Sequence, residues 1–272
     1  MTNINSSCYF AVYIRTYVAS FQVRKNAFHT YIVSLLRAVE WQLNAYQKKR
    51  QPEILHRMRV DIKKIKALLS FLAKVFNDKT ISASNSLRPL FHQAGCIREL
   101  QINSKLLKEL PQPPLGLIKK MAIKEKRMTE QFCVRIPAHL LQVKQFVRRL
   151  ELPDELPKRK KIKKYFKKKI KKALKELNLG ERDSLHRFRM EIKKLMYVHK
   201  ALPRRLRASI TLDEKYIDRV QKKAGDWHDA ETVIKFLKSV GSIPDNYISK
   251  MKEKEIKNFN ALKSIAGNQK KW

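Results

Sequence analysis

A basic stretch of sequence occurs twice in this chain, and the repetition limits which folds are open to it. Leu55-His56-Arg57-Met58-Arg59-Val60-Asp61-Ile62-Lys63-Lys64-Ile65-Lys66 reappears as Leu185-His186-Arg187-Phe188-Arg189-Met190-Glu191-Ile192-Lys193-Lys194-Leu195-Met196, so that His186 stands 130 residues after His56. A second, unrelated pair has the same 130-residue offset: Ala94-Gly95-Cys96-Ile97-Arg98-Glu99 and Ala224-Gly225-Asp226-Trp227-His228-Asp229. Two motifs sharing one offset are improbable by chance. The chain therefore reads as an internal duplication, each half presenting a His/Arg/Lys surface.

Helical periodicity dominates, and breakers are scarce. The chain has 6 Gly and 10 Pro, and the prolines gather where helices should end: Pro52, Pro111 to Pro114, Pro153 to Pro157, Pro203 and Pro244. The pattern predicts helices over 9–48 (with a break near Asn26), 53–76, 84–109 and 115–150, then 158–178, 183–201, 212–239 and 244–266. Residues 1–27 form a partly helical extension, 28–151 and 158–268 the two repeats, and 152–157 the linker between them. The expected fold is all-α, with two four-helix bundles packed as one body.

Charge narrows the partners. Lys and Arg number 61 against 24 Asp and Glu, a net charge of +37, whereas solubility alone asks roughly 2 to 8 charges of a small domain. Such self-repulsion opposes a compact state, so a polyanionic partner is expected. The 43% apolar content still allows a core. Cys8, Cys96 and Cys133 are odd in number and form no C-x-x-C pair, which argues against a disulfide framework or a zinc knuckle. A cytoplasmic setting is expected. No apolar run reaches the roughly 18 residues of a membrane span, and Tyr9 to Ile14 is too short for a signal-peptide core.

On a helical wheel with His56 at 0°, Arg59, Lys63 and Lys66 fall within about 80° on one side, while Met58, Ile62, Ile65, Leu69 and Leu72 form the opposite, core-facing stripe. Arg57 and Lys64 lie near +90°, at the margin. The second copy repeats the ladder with His186, Arg189 and Lys193, but Met196 replaces the last basic rung. Asp61 is placed to reach Arg57, and Glu191 to reach Arg187; the ladder face itself carries no carboxylate. The neighbours of His56 and His186 are cations that would repel a metal ion, and neither repeat pairs a Ser or Cys nucleophile with its histidine. Anion contact is the economical role for both histidines.

In the second element, Ala94, Gly95, Ala224 and Gly225 are small residues that let another helix approach closely. Arg98 and His228 are candidates to turn toward the ladders, with Glu99 and Asp229 as orienting carboxylates. Lys158 to Lys175 holds 12 Lys or Arg and no acid, yet Ile162, Tyr165, Phe166, Ile170, Ala173, Leu174 and Leu177 recur at helical spacing. It is expected to be a bundle helix that adds charge to the site.

The doubled H-x-x-R-x-x-x-K-K-[IL] helices, each followed after about 40 residues by an A-G-x-x-[RH]-[DE] element, resemble the CHAD family, the conserved histidine α-helical domain. The resemblance spans about 28–268. It implies two four-helix bundles related by a pseudo-twofold axis, around a basic central groove or pore that binds inorganic polyphosphate. It carries over His56 and His186, with Arg59, Lys63, Lys64, Lys66, Arg189, Lys193 and Lys194 as the basic contacts; Met196 departs from the pattern and puts one contact in doubt. With Arg57, Arg98, Arg187 and His228 added from the wheel and the second element, these form the candidate site. The expected function is non-catalytic polyphosphate binding in the cytoplasm, with polyphosphate granules as a place of association, and with no cofactor and no metal. Nucleic acid is the alternative partner, disfavoured because most aromatics fall at core positions. A polyphosphate-metabolising enzyme is the third reading, and it lacks a P-loop or a metal-holding acid cluster.

Overall fold

The first helix starts where Asn26, in extended conformation, accepts a hydrogen bond from the His29 N–H through its side-chain oxygen at 2.9 Å. That helix, α1 (Ala27–Lys49), ends at Arg50, whose left-handed backbone (φ 51°) lets its N–H close on the Tyr46 carbonyl. Pro52 then begins α2 (Pro52–Phe76), which ends the same way at Asn77 (φ 59°). α3 (Arg88–Lys108), with a proline in its first turn, and α4 (Leu115–Arg149) complete the first half. The second half comprises α5 (Arg159–Leu179), α6 (Arg182–Ala201), the single turn α7 (Arg204–Arg207), α8 (Glu214–Val240) and α9 (Asp245–Ala266). This computed structural model describes residues 26–81, 86–110, 113–179, 181–240 and 245–266, and among them there is no strand.

The chain is all-α, as its periodicity predicts. Residues 1–25 of the expected N-terminal extension, with the helical stretch expected over 9–25, lie outside the described residues, as does the start of the helix expected from residue 84. The turn α7 was not anticipated: four residues after Pro203 are too few to show a period.

In the first half α1 packs on α2 and α4, α2 on α3, and α3 on α4, closing a four-helix ring. In the second, α5 packs on α6, α6 on α8, and α8 on α9. The Trp227 indole N–H donates to the Glu255 carboxylate at 2.7 Å inside the α8–α9 pair, and the Tyr216 hydroxyl donates to the Ile265 carbonyl at 2.7 Å. These bonds satisfy polar groups that burial would otherwise make costly.

The halves share one core. A single cluster runs from Phe28, Leu36 and Phe71 through Phe132 to Phe166, Phe188 and Trp227. A smaller cluster of Leu107, Ile118, Met121 and Leu237 joins the ends of α3, α4 and α8. The linker is docked: the Asn26 side-chain amide donates to the Asp154 carbonyl at 2.9 Å, and Pro157 is buried. Across the boundary α2 lies on α6 and touches α5, while α3 touches α8. The two helices that carry the repeated motif are therefore in direct contact.

Candidate anion site between the two halves

The repeated helices bury the same registers. Leu55 and Leu185, Met58 and Phe188, Ile62 and Ile192, and Ile65 and Leu195 are all at most 2% exposed. With these stripes turned inward, the polar sides of α2 and α6 emerge together. Lys63 reports the encounter: burial, and then the charges of Arg59, Lys193 and Arg189, push its ammonium down to about 8. Two of those three charges belong to the other half. Lys193 is likewise lowered by burial and by Arg189, with Asp229 opposing.

The second element does turn toward the ladders. His56 is lowered by burial and then by Arg98, Lys63 and Arg59, against the opposing pull of Glu53. On the other side the His186 and His228 rings lie 4.9 Å apart, and burial followed by the charge of Arg189 pushes His228 down to about 4. Glu99 acts on Arg59, and Asp229 on Arg189, so a carboxylate from α3 or α8 partly offsets each guanidinium. The cations nevertheless outnumber them.

Arg59 is held in a way the wheel cannot show. Its guanidinium lies 4.2 Å from the Phe91 ring centre and donates to the Phe91 carbonyl, while Lys66 sits over the same ring at 4.9 Å and Lys63 at 6.0 Å. Phe91 is thus a site residue that sequence reasoning missed. Its signal was the wheel position one turn before Gly95 and two before Arg98. Gly95 has a different purpose from the expected helix approach: an added Cβ would collide with the Arg59 guanidinium. At Gly225 it would meet nothing within 4 Å. Ala94 and Ala224, by contrast, are buried in the core as small residues should be.

Four of the candidate cations go elsewhere. Lys64 pairs with Asp61 at 2.9 Å; burial alone would lower it, but the Asp61 carboxylate holds it raised. Asp61 therefore serves Lys64 and accepts from the Gln42 amide, and does not pair with Arg57 as expected. Arg57 turns to Glu53 at 3.5 Å, on the exterior. Arg187 reaches Glu176 at 2.8 Å instead of Glu191, and Lys194 stands 3.7 Å from Glu191. Glu191 also gathers Lys169 and Lys172. These two α5 lysines are thus engaged by a carboxylate of α6. For Lys64, Arg187 and Lys194 the physical reason is shared: a carboxylate inside the α1–α2 or α5–α6 packing draws the marginal cation to itself. Met196 is 2% exposed and belongs to the core, so its position offers no contact to a ligand.

What remains are His56, Arg59, Lys63, Lys66 and Arg98 in the first half and His186, Arg189, Lys193 and His228 in the second, with Lys63 within electrostatic reach of Arg189 and Lys193. Among the described residues no three His, Cys, Asp or Glu side chains converge on a metal-sized space, and no helix is long and apolar enough to cross a membrane. The arrangement offers N–H donors and positive charge.

Comparison with known proteins agrees with this architecture. The family model described as the CHAD domain matches residues 34–238. A solved structure described as the crystal structure of the CHAD domain from the plant Ricinus communis is similar in fold, with a TM-score of 0.56 and 14% sequence identity, over 89% of this chain and 91% of that one. No curated protein matches. Because the family model covers well over half of the 272 residues, the chain belongs to the CHAD domain family.

Proposed function

We propose that this protein binds inorganic polyphosphate, without catalysis of its own, along the surface where the two ladders meet. The observation that carries the reading is Lys63, whose ammonium is held down to about 8 by burial first and then by the charges of Arg59, Lys193 and Arg189, drawn from both halves. Cations assembled this closely repel one another, and a ligand with a dense line of negative charge relieves that repulsion. Polyphosphate has such a charge line and no bases, so closely spaced Lys, Arg and His donors suffice to hold it.

The duplication belongs to the same reading. Gln42 reaches Asp61 as Lys172 reaches Glu191, and Lys64 and Lys194 serve the same two carboxylates, so contacts recur at the 130-residue offset of the motifs. Two related halves meeting at α2 and α6 would form one continuous basic groove about a pseudo-twofold axis.

A nucleic-acid backbone is the alternative partner. Single-strand binding draws on exposed aromatic platforms, whereas Trp41 is the large aromatic exposed among the described residues and stands on α1, not on the helices that carry the ladders. Competition between long-chain polyphosphate, tRNA and duplex DNA at one physiological salt concentration tests the choice. Polyphosphate should win at equal charge; equal or tighter binding of tRNA would overturn the reading.

A further inference from the structure

Glycine inside a helix costs stability relative to alanine, so each interior glycine calls for a reason. At Gly95 the reason is the Arg59 guanidinium, which occupies the place of the missing side chain. At the corresponding Gly225 that place is open. Packing does not require this glycine.

The surroundings of Gly225 suggest what does. Steps of three and four residues put Gln221, Gly225 and His228 on one face of α8. That helix packs on α6, whose His186 ring lies 4.9 Å from the His228 ring and whose Arg189 charge acts on His228. Three nitrogens of this region are buried without a protein hydrogen-bond partner: Gln221 Nε2, Arg189 Nε and His228 Nδ1. For His228 the Glu231 carboxylate stands 3.8 Å off, beyond hydrogen-bond reach. Asp229 also acts on Arg189, so with Glu231 two carboxylates stand near the place. Buried polar groups are normally paired, and three unpartnered nitrogens on the two helices beside the open place at Gly225 fit an absent ligand.

We propose that Gly225 is the floor of a seat for one phosphoryl group, whose oxygens accept hydrogen bonds from Arg189, Gln221 and His228. The proposal rests on the polyphosphate reading and deepens it. The two half-sites are unequal: Arg59 fills the equivalent place in the first half, and Phe91 stands where the second half has Gln221. The second half therefore anchors a phosphoryl group by directed hydrogen bonds, while the first contributes a preset line of charge. A chain with two copies of the motif has one such seat.

Titration calorimetry on the full chain, with inorganic tripolyphosphate and separately with long-chain polyphosphate, tests this. One tripolyphosphate should bind per chain in the tight phase. Gly225→Leu, which fills the seat, should weaken tripolyphosphate by about tenfold or more, while long chains, held by both ladders, lose less. Gly225→Ala meets no neighbour, so it should raise the melting temperature while lowering tripolyphosphate affinity, and Gln221→Ala should also lower that affinity. Gly116→Ala on α4, likewise in open space, should leave binding unchanged. Wild-type affinity for tripolyphosphate in both Gly225 variants would overturn the seat and leave water as the partner of those donors; the polyphosphate reading would survive if long chains still bind. If the wild-type protein binds neither probe, both readings fall.

Discussion

Lys63→Met should stabilise the free protein and weaken it as a polyanion binder. Methionine has nearly the same length and can keep the aliphatic contacts, so the variant removes mainly a charge. The fall of the Lys63 pKa from 10.5 to about 8 corresponds to roughly 3 kcal/mol of preference for the neutral form, at about 1.4 kcal/mol per unit. Lys63 is only partly buried, and solvent screening reduces this to about 1–2 kcal/mol. The sign follows from linkage. Below pH 8 both folded and unfolded chains carry the charge, and the folded state bears the full penalty; between pH 8 and 10.5 the unfolded chain binds more protons, so stability rises with pH. Above 10.5 the penalty is gone. Denaturant unfolding at pH 7 should therefore favour the variant by about 1–2 kcal/mol, an advantage that fades as pH approaches 10.5. At pH 7 the same variant should bind long-chain polyphosphate more weakly, with the salt dependence flattened by roughly one unit of slope. Opposite signs for stability and affinity are the diagnostic. A variant that is destabilised at pH 7, or that binds as tightly as the wild type, would refute the reasoning.

The double changes Arg59→Ala with Lys63→Ala, and Arg189→Ala with Lys193→Ala, should each cost more affinity for long chains than for a short oligophosphate, because a chain spanning both ladders makes its second contact at high effective concentration; filter binding across chain lengths would refute this if either double variant left long-chain affinity intact. Glu191→Gln should destabilise by about 3 kcal/mol, since the partly buried Lys169 loses its charged partner, as chemical unfolding would show. Burial alone would raise Glu191, but its lysines hold it lowered, so its contribution is present above the usual carboxylate range and is lost as pH falls through its depressed folded pKa. Incubation with polyphosphate and magnesium should release no phosphate; turnover that tracks the purified protein and disappears in the Arg59 and Lys63 double variant would contradict a purely binding role.

Much of the architecture was legible because helices are locally encoded. Pro52 and Asn77 bracket α2 much as the periodicity places it, and the stripes through Met58, Ile62 and Ile65, and through Phe188, Ile192 and Leu195, are buried as the wheel requires. The offset of His56 and His186, the excess of Lys and Arg, and the direction of Arg59, Lys63, Arg189 and Lys193 away from the core follow from residue order alone, since one helix fixes the angle between its own side chains. It does not fix what another helix brings to that angle. Only tertiary packing set α2 against α6 and so brought Lys63 among the charges of Arg189 and Lys193. Packing also turned Lys64 to Asp61 and Lys194 to Glu191, and put Met196 in the core. Long flexible side chains such as Lys64 and Arg59 settle on whichever acceptor or ring lies within reach. Phe91 and Gly95 hold Arg59 because α3 passes beside α2; the missing methyl at residue 95 acquires its meaning only when the Arg59 guanidinium arrives from another helix.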